Sequence, residues 1–416
     1  MIKDIYKNSN LIFTKFILVG VSLCFNANAQ ELDSLKIEAA EHNLELKAQY
    51  KSFEAQLEAV TQAKAWQDPN LSFGYFISPI ETRVGPQIAR FSLTQMLPWF
   101  GTYKARGNIA SYRAEAEFEK FQDQKLKLFL KVAEKYYDIS VLRFIAELEL
   151  EQFKILEDLK SIVESNYENN KANMVDILRV ELQIDKQLNV MQVLKQQDQV
   201  LVTQLNQLIN RSLKTPILIL NPQQILEQNK FIEIEAIHKN HPRLEAIRNL
   251  QESNHAEKDL AKKQALPQFG LGLDYAIIQN RNVMATDAGQ DAIMPMLSVT
   301  LPVFGKKNKS RKKAAVLQGE SLQFKLEHEQ LQLESEIQVA KYKQNELLSL
   351  LGLYNKQLER LADILQLSEA ALANAKMNIE EVLQLHEERL LYEKQRAKSL
   401  AEIQKNNETL NYLTSN

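Results

Sequence analysis

Leu97-Pro98-Trp99-Phe100-Gly101-Thr102-Tyr103-Lys104 returns half a chain later as Leu301-Pro302-Val303-Phe304-Gly305-Lys306-Lys307-Asn308, at an offset of 204 residues. Upstream, Pro69 pairs with Pro267 and Gly74 with Gly272 at an offset of 198, and Asn43-Leu44-Glu45-Leu46 pairs with His241-Pro242-Arg243-Leu244. The six-residue change falls in the segment before each L-P-x-F-G. The chain therefore reads as a tandem duplication. Its unit is a helix, an apolar segment, a loop, a second apolar segment, L-P-x-F-G and a long helix.

The paired apolar segments alternate. Leu71, Phe73, Tyr75 and Ile77 oppose Ser72, Gly74 and Ser78, and Phe91, Leu93 and Leu97 oppose Arg90, Ser92 and Thr94. In the second copy Phe269, Leu271, Leu273, Tyr275 and Ile277 oppose Gln268, Gly270, Gly272, Asp274 and Ala276, while Leu297, Val299, Leu301 and Val303 oppose Ser298 and Thr300. Period two with aromatic and β-branched residues predicts strands near 70–78, 88–97, 268–278 and 294–303, with 79–86 a loop. Such a strand suits either a transmembrane barrel wall or a half-buried sheet of a soluble domain. Four strands close no barrel, so a membrane role demands an oligomer.

Glycine (11) and proline (10) are scarce in 416 residues, and neither occurs between Gly107 and Pro216. Helices are expected over 31–65, from Trp99 to about Glu168, and again from near Val303; about seventy residues at 1.5 Å each give roughly 100 Å. In the second long helix Leu333, Ile337, Ala340, Leu347, Leu351, Tyr354, Leu358, Leu361 and Leu365 recur at steps of three and four, with Gln344 filling the one gap. That is a coiled-coil seam. Asn173 and Asn378 each precede an acid by three residues, Asp176 and Glu381, as in a capping box that opens a return helix. The return helices span 175–213 and 380–410, and 214–229 links the first repeat (30–213) to the second (230–416).

Lys3, Lys7 and Lys15 precede an apolar run at 16–25, and Ala27-Asn28-Ala29 follows. This is an export signal over 1–29, cleaved before Gln30. Cys24, the chain's one cysteine, would instead become the first mature residue if the protein were lipidated. A net charge of −2 gives no pull toward nucleic acid. No phosphate-cradling glycine loop, nucleophile elbow or zinc-protease motif occurs, and His238 with His241 is a weak candidate metal pair. The expectation is a protein without catalysis, cofactor or metal.

The duplicated unit, both L-P-x-F-G exits, the export signal and the segments 167–178 and 374–385 resemble the TolC-like outer-membrane efflux proteins. The resemblance covers the whole mature chain. It implies a mainly α fold with a small β part: long antiparallel coiled-coil helices build a periplasmic α-barrel, and three protomers pool four strands each into a twelve-stranded transmembrane β-barrel in outer-membrane lipid. It implies a homotrimeric exit duct for small molecules or metal ions, working with a periplasmic adaptor and an inner-membrane pump of the resistance-nodulation-division type. A type I protein-secretion duct is the alternative within the family, and a soluble periplasmic coiled-coil adaptor the alternative outside it. The adaptor-contact tips fall at Asn170, Lys171, Ala172 and Asn173, and at Ala375, Lys376, Met377 and Asn378. Asp176 and Glu381 match the acids of the channel constriction, a role that helix capping alone would also explain. Leu372 and Met377 stand where some members carry a tyrosine and an arginine that latch the closed state.

Overall fold

The computed structural model describes residues 27–219, 221–227, 240–280, 288–374 and 376–415, with side chains from Leu32 onward. Residues 1–26 of the expected export signal, with Cys24, and His238 and Ala375 lie outside these residues. The chain runs α1 (Ala27–His42), α2 (Leu44–Lys64), β1 (Asn70–Thr82), β2 (Gly85–Leu97), α3 (Thr102–Glu168), α4 (Met174–Ile209), α5 (Pro222–Glu227), α6 (Pro242–Lys263), β3 (Gln268–Ile278), β4 (Ala292–Thr300), α7 (Gly305–Ala373) and α8 (Ile379–Leu413). The duplicated helix–strand–strand–helix–helix order is present in full.

Several boundaries differ from expectation, each for a local reason. The first helix is two, because Asn43 leaves helical geometry (ψ 126°) and its side chain accepts from the Leu46 amide at 2.9 Å, capping a new helix. The first hairpin runs on through the expected loop 79–86. A register shift after Tyr75 accommodates Pro79, and the strands meet at a two-residue turn closed by the Thr82 hydroxyl donating to the Gly85 carbonyl at 2.5 Å. Strand β4 stops at Thr300, ahead of Pro302, and α7 starts at Gly305. Return helix α4 ends at Ile209 because Asn210 takes the left-handed conformation (φ 57°).

The four strands form one antiparallel sheet in the order β1-β2-β3-β4. Both hairpin connections lie at one end of it, and all four helical connections at the other. Helix α3, 67 residues long, packs against α2, α4, α6 and α8, so the first repeat's long helix touches both repeats. The expected seam of α7 is present: Leu333, Ile337, Ala340, Leu347, Leu361 and Leu365 are buried, and Gln344 donates to Asn407 of α8 at 3.4 Å.

The duplication extends to single bonds. Asn43 Nδ2 donates to the Leu208 carbonyl at 2.8 Å, and His241 Nε2 faces the Tyr412 carbonyl at 3.3 Å. Leu208 and Tyr412 are separated by the repeat offset of the long helices. In both copies a buried cap side chain ties the first helix to the end of the return helix.

Candidate functional site

Two regions hold the functional geometry. The first is the sheet, whose register sorts the alternating residues onto opposite faces. Leu71, Leu93, Leu273 and Pro295 lie in one cross-strand row, and Phe73, Phe91, Tyr275 and Ile293 in the next. The Phe73 and Phe91 rings stand 4.9 Å apart. This apolar face is open: Ile77 is 95% exposed, Leu297 70% and Leu71 66%. An exposed apolar patch of this extent on a folded chain marks an interface.

The opposite face carries Ser72, Ser92, Asp274 and Met294 in one row and Gly74, Arg90, Ala276 and Ala292 in another. Arg90 pairs with Asp274, whose side chain is buried, and Asp274 Oδ1 has no hydrogen-bond partner among the described residues. Among the described residues β1 and β4 each pair on one side only. The backbone groups of their outer edges have no ladder partner among the described residues.

The second region is the far end of the helices. There α3 turns into α4 through 169–173, and α7 into α8 through 374–378. Leu156, Leu159 and Val163 of α3 pack with Ile177 and Val180 of α4, Leu372 of α7, and Ile379, Val382 and Leu383 of α8. Both turns therefore share one small core, and Asn166 Nδ2 donates across it to the Leu372 carbonyl at 3.3 Å. Leu372 is buried there and Met377 packs against the same core, so these two positions supply apolar contact.

In the first turn Asn170 is left-handed (φ 59°), and the Lys171 amide donates back to the Asn166 carbonyl at 2.8 Å, closing the end of α3. Asn173 follows as N-cap, and its amide donates to Asp176 Oδ2 at 3.0 Å, the reciprocal half of a capping box. Asn170, Lys171 and Asn173 are exposed and Ala172 half-buried; in the second turn Lys376 and Asn378 are exposed. The second box differs from expectation. Asn378 Oδ1 accepts from the Glu380 amide at 3.1 Å, and exposed Glu381 makes no reciprocal bond to the cap. Asp176 is thus bound to a capping duty that Glu381 does not share. Arg179 pairs with Glu380, and Lys186 with Glu387 at 2.9 Å, so charge pairs link the two return helices just beyond the turns.

Sequence reasoning missed His386. It is buried on α8, with Nε2 3.0 Å from Glu369 Oε1 of α7, yet neither ring nitrogen has a well-aligned hydrogen-bond partner among the described residues. Burial lowers its pKa against the pull of Glu369, and Arg389 lowers it further. Its spacing from the tip was visible in the sequence, but its burial depended on the pairing of α7 with α8. His241 caps α6: Nδ1 accepts from the Arg243 amide at 3.2 Å, leaving Nε2–H to face Tyr412. Both its ring nitrogens are engaged, which leaves none for a metal. No group of three His, Cys, Asp or Glu suited to a metal occurs among the described residues, and no described helix is long and apolar enough to cross a membrane.

No protein-family model matches the sequence, and no curated protein does. The fold, in contrast, is shared with solved structures over nearly the whole chain. It superimposes on CusC, studied for conformational changes accompanying folding and transmembrane channel formation, at a TM-score of 0.78 and 15% identity, covering 95% of this chain and 96% of CusC. The outer-membrane channel OprN gives 0.76 and 14%, with 92% and 90% covered. The outer membrane protein VceC from Vibrio cholerae gives 0.74 and 14%, with 93% and 96% covered. The long paired helices and the four-stranded sheet of this chain are therefore those of the outer-membrane channel fold.

Proposed function

We propose that the protein is the outer-membrane exit duct of a tripartite efflux system, passive and without catalysis of its own. One observation carries this reading: a four-stranded sheet, apolar and open on one face and of small, polar and methionine side chains on the other, with neither edge paired among the described residues. Three such sheets joined edge to edge give a closed twelve-stranded barrel with lipid outside and water inside. A closed ring satisfies the edge backbone groups that no single protomer satisfies. The helices, about 100 Å long, then extend away from the membrane. The likeness to OprN and VceC supports placing this barrel in the outer membrane and the helices in the periplasm.

At the helical tips, 170–173 and 375–378 form the contact for a periplasmic adaptor, which couples the duct to an inner-membrane pump. Asp176 and Glu381 from three protomers place six carboxylates at the constriction, which favours cations over anions. Of the two, Glu381 acts there with less distraction, since Asp176 also caps α4. The cargo class is small molecules or metal ions.

Export and detergent extraction test the reading. A heat-resistant trimer recovered from the outer membrane, conducting in planar bilayers, is the expected result. A monomer in the soluble periplasmic fraction would overturn it. For the constriction, Glu381→Gln should lower cation selectivity more than Asp176→Asn. Unchanged selectivity in both variants would return these acids to helix capping and surface charge.

A further inference from the structure

Six cations occupy eight successive positions at the start of α7: Lys306, Lys307, Lys309, Arg311, Lys312 and Lys313. All but Arg311 are exposed, and the first turn holds no acid. Among the described residues no carboxylate pairs with any of the six, whereas Arg243 binds Glu329 and Glu336, and Lys405 binds Asp138 and Glu402. Lys306 and Lys309, Lys309 and Lys312, Lys307 and Arg311, and Lys309 and Lys313 are like-charged neighbours at helical spacing, which opposes folding. They also stand at the positive end of the helix dipole. Among the described residues no ion pair compensates this charge.

The duplication sharpens the contrast. The equivalent residues 102–109 carry two cations, Lys104 and Arg106, and bury Ala105 and Ile109. The basic run is thus no inherited property of the repeat. It occurs in the copy whose helix start is left open.

Four residues, 301–304, separate the end of strand β4 from the helix that carries the run. Leu301, Val303 and Phe304 lead directly into the run, and Phe304 is 85% exposed. Phe100, at the matching place in the first repeat, and Trp66 are also exposed at this end of the sheet. Gln95 donates to the Gln67 carbonyl at 2.8 Å, and the Gln67 amide faces the Tyr103 hydroxyl at 3.3 Å, which fixes the Trp66 segment between the end of β2 and the start of α3. Along the molecule the order is apolar strand face, aromatic ring, cations. That order matches acyl chain, interface and headgroup of a bilayer leaflet.

We propose that residues 306–313 form a docking surface for the anionic phospholipid headgroups of the leaflet on the helical side of the barrel. The inference rests on the membrane placement proposed above. Phosphatidylglycerol supplies the phosphodiester charge that the lysines lack, at a depth where Phe304 and Phe100 already sit in the interface.

The test uses full-length trimer in neutral detergent, offered phosphatidylglycerol or phosphatidylcholine in mixed micelles, with retained lipid read by native mass spectrometry. Wild type should prefer phosphatidylglycerol, and less so as salt rises. Substituting Lys306, Lys307, Lys309, Lys312 and Lys313 together by glutamine, a good helix former, should lower that preference at least tenfold, since each lysine near a charged surface contributes up to about fivefold. Lys195→Gln with Lys356→Gln, exposed lysines elsewhere on the helices, should leave it intact. A wild-type trimer that retains both lipids equally, a quintuple variant that keeps the preference, or displacement of the lipid by millimolar inorganic phosphate would each overturn the inference while leaving the duct standing. Recovery of wild type as a soluble monomer would overturn the duct first, and failure of that monomer to bind phosphatidylglycerol vesicles would then overturn the docking surface separately.

Discussion

Removing the Lys394 ammonium should destabilise the helical body by about 2–3 kcal/mol. Glu149 of α3 is 2% exposed and carries three bonds: Lys394 Nζ of α8 at 2.8 Å to Oε1, and Gln187 Nε2 of α4 at 2.6 Å to Oε2 and 2.7 Å to the Glu149 carbonyl. One carboxylate thus joins a long helix to the return helices of both repeats. Breaking a fully buried pair by deleting one partner costs roughly 3–5 kcal/mol, because the remaining charge is stranded. Lys394 is 29% exposed, so water reaches the site and screening discounts the cost to about 2–3 kcal/mol.

The substitution of choice is Lys394→Met, which keeps the aliphatic stem and its packing. Glu149→Gln removes the charge but keeps an acceptor, for a cost of about 1 kcal/mol. The double variant should then resemble Glu149→Gln alone, because no charge is left to strand, giving a coupling energy of about 2–3 kcal/mol in magnitude. Helical ellipticity during thermal unfolding of the detergent-solubilised protein is the readout. A silent Lys394→Met, or a double variant destabilised by the full sum of the singles, would show that the three bonds do not act as a unit.

Other expectations follow from the same geometry. Asp176→Ala should cost about 1 kcal/mol of α4 stability while Glu381→Ala costs almost nothing, because only Asp176 accepts from its cap amide; amide exchange over residues 173–177 checks this. Leu273→Arg on the apolar face should cost about 2–4 kcal/mol in the bilayer, and Thr94→Arg on the polar face far less; the fraction of heat-resistant trimer measures it. His241 and His386 both have pKa values lowered chiefly by burial. The unfolded chain therefore binds more protons than the native one below about pH 6.5, so stability is complete above that pH and declines as pH falls through it. Thermal melts between pH 7.5 and 5 should show the decline, and His241→Asn, which installs the cap residue of the first repeat, should lessen it.

Period-two alternation made the strands legible, and low glycine and proline content the helices, because both signals are local. The repeat itself was legible because Pro98 and Pro302 mark the same strand exit. Pairing was harder to read. Pro79 suggested a loop, yet the hairpin absorbs it with a register shift, a choice made by β2 across the sheet. Asn43 lay within a helix-forming stretch. Its role as a cap depends on the Leu208 carbonyl, 165 residues away. The turns at 169–173 and 374–378 were placed from their asparagines, but which acid completes a capping box is decided by rotamers of exposed side chains. His386 and Glu149 gave no local signal at all, since long-range packing of α3, α7 and α8 creates their surroundings.

The two copies have kept their geometry and divided their duties. Gly101 adopts a left-handed φ of 78°, so the first L-P-x-F-G needs its glycine for conformation, whereas the neighbouring Lys263 side chain could move aside. Gly305 is the first residue of α7, is not among the positive-φ residues, and would gain a Cβ without a neighbour within 4 Å. Yet the second copy begins its helix in the open, beside six cations, while the first packs its start under Lys64 and α6. A barrel of three such chains would alternate a packed helix start and an open one six times around its rim, at the level where the sheet ends. In such a barrel, symmetry of the strands would close the ring, and asymmetry of the helix starts would leave three basic sites on its rim, whose lipid contact the lipid-retention experiment reads.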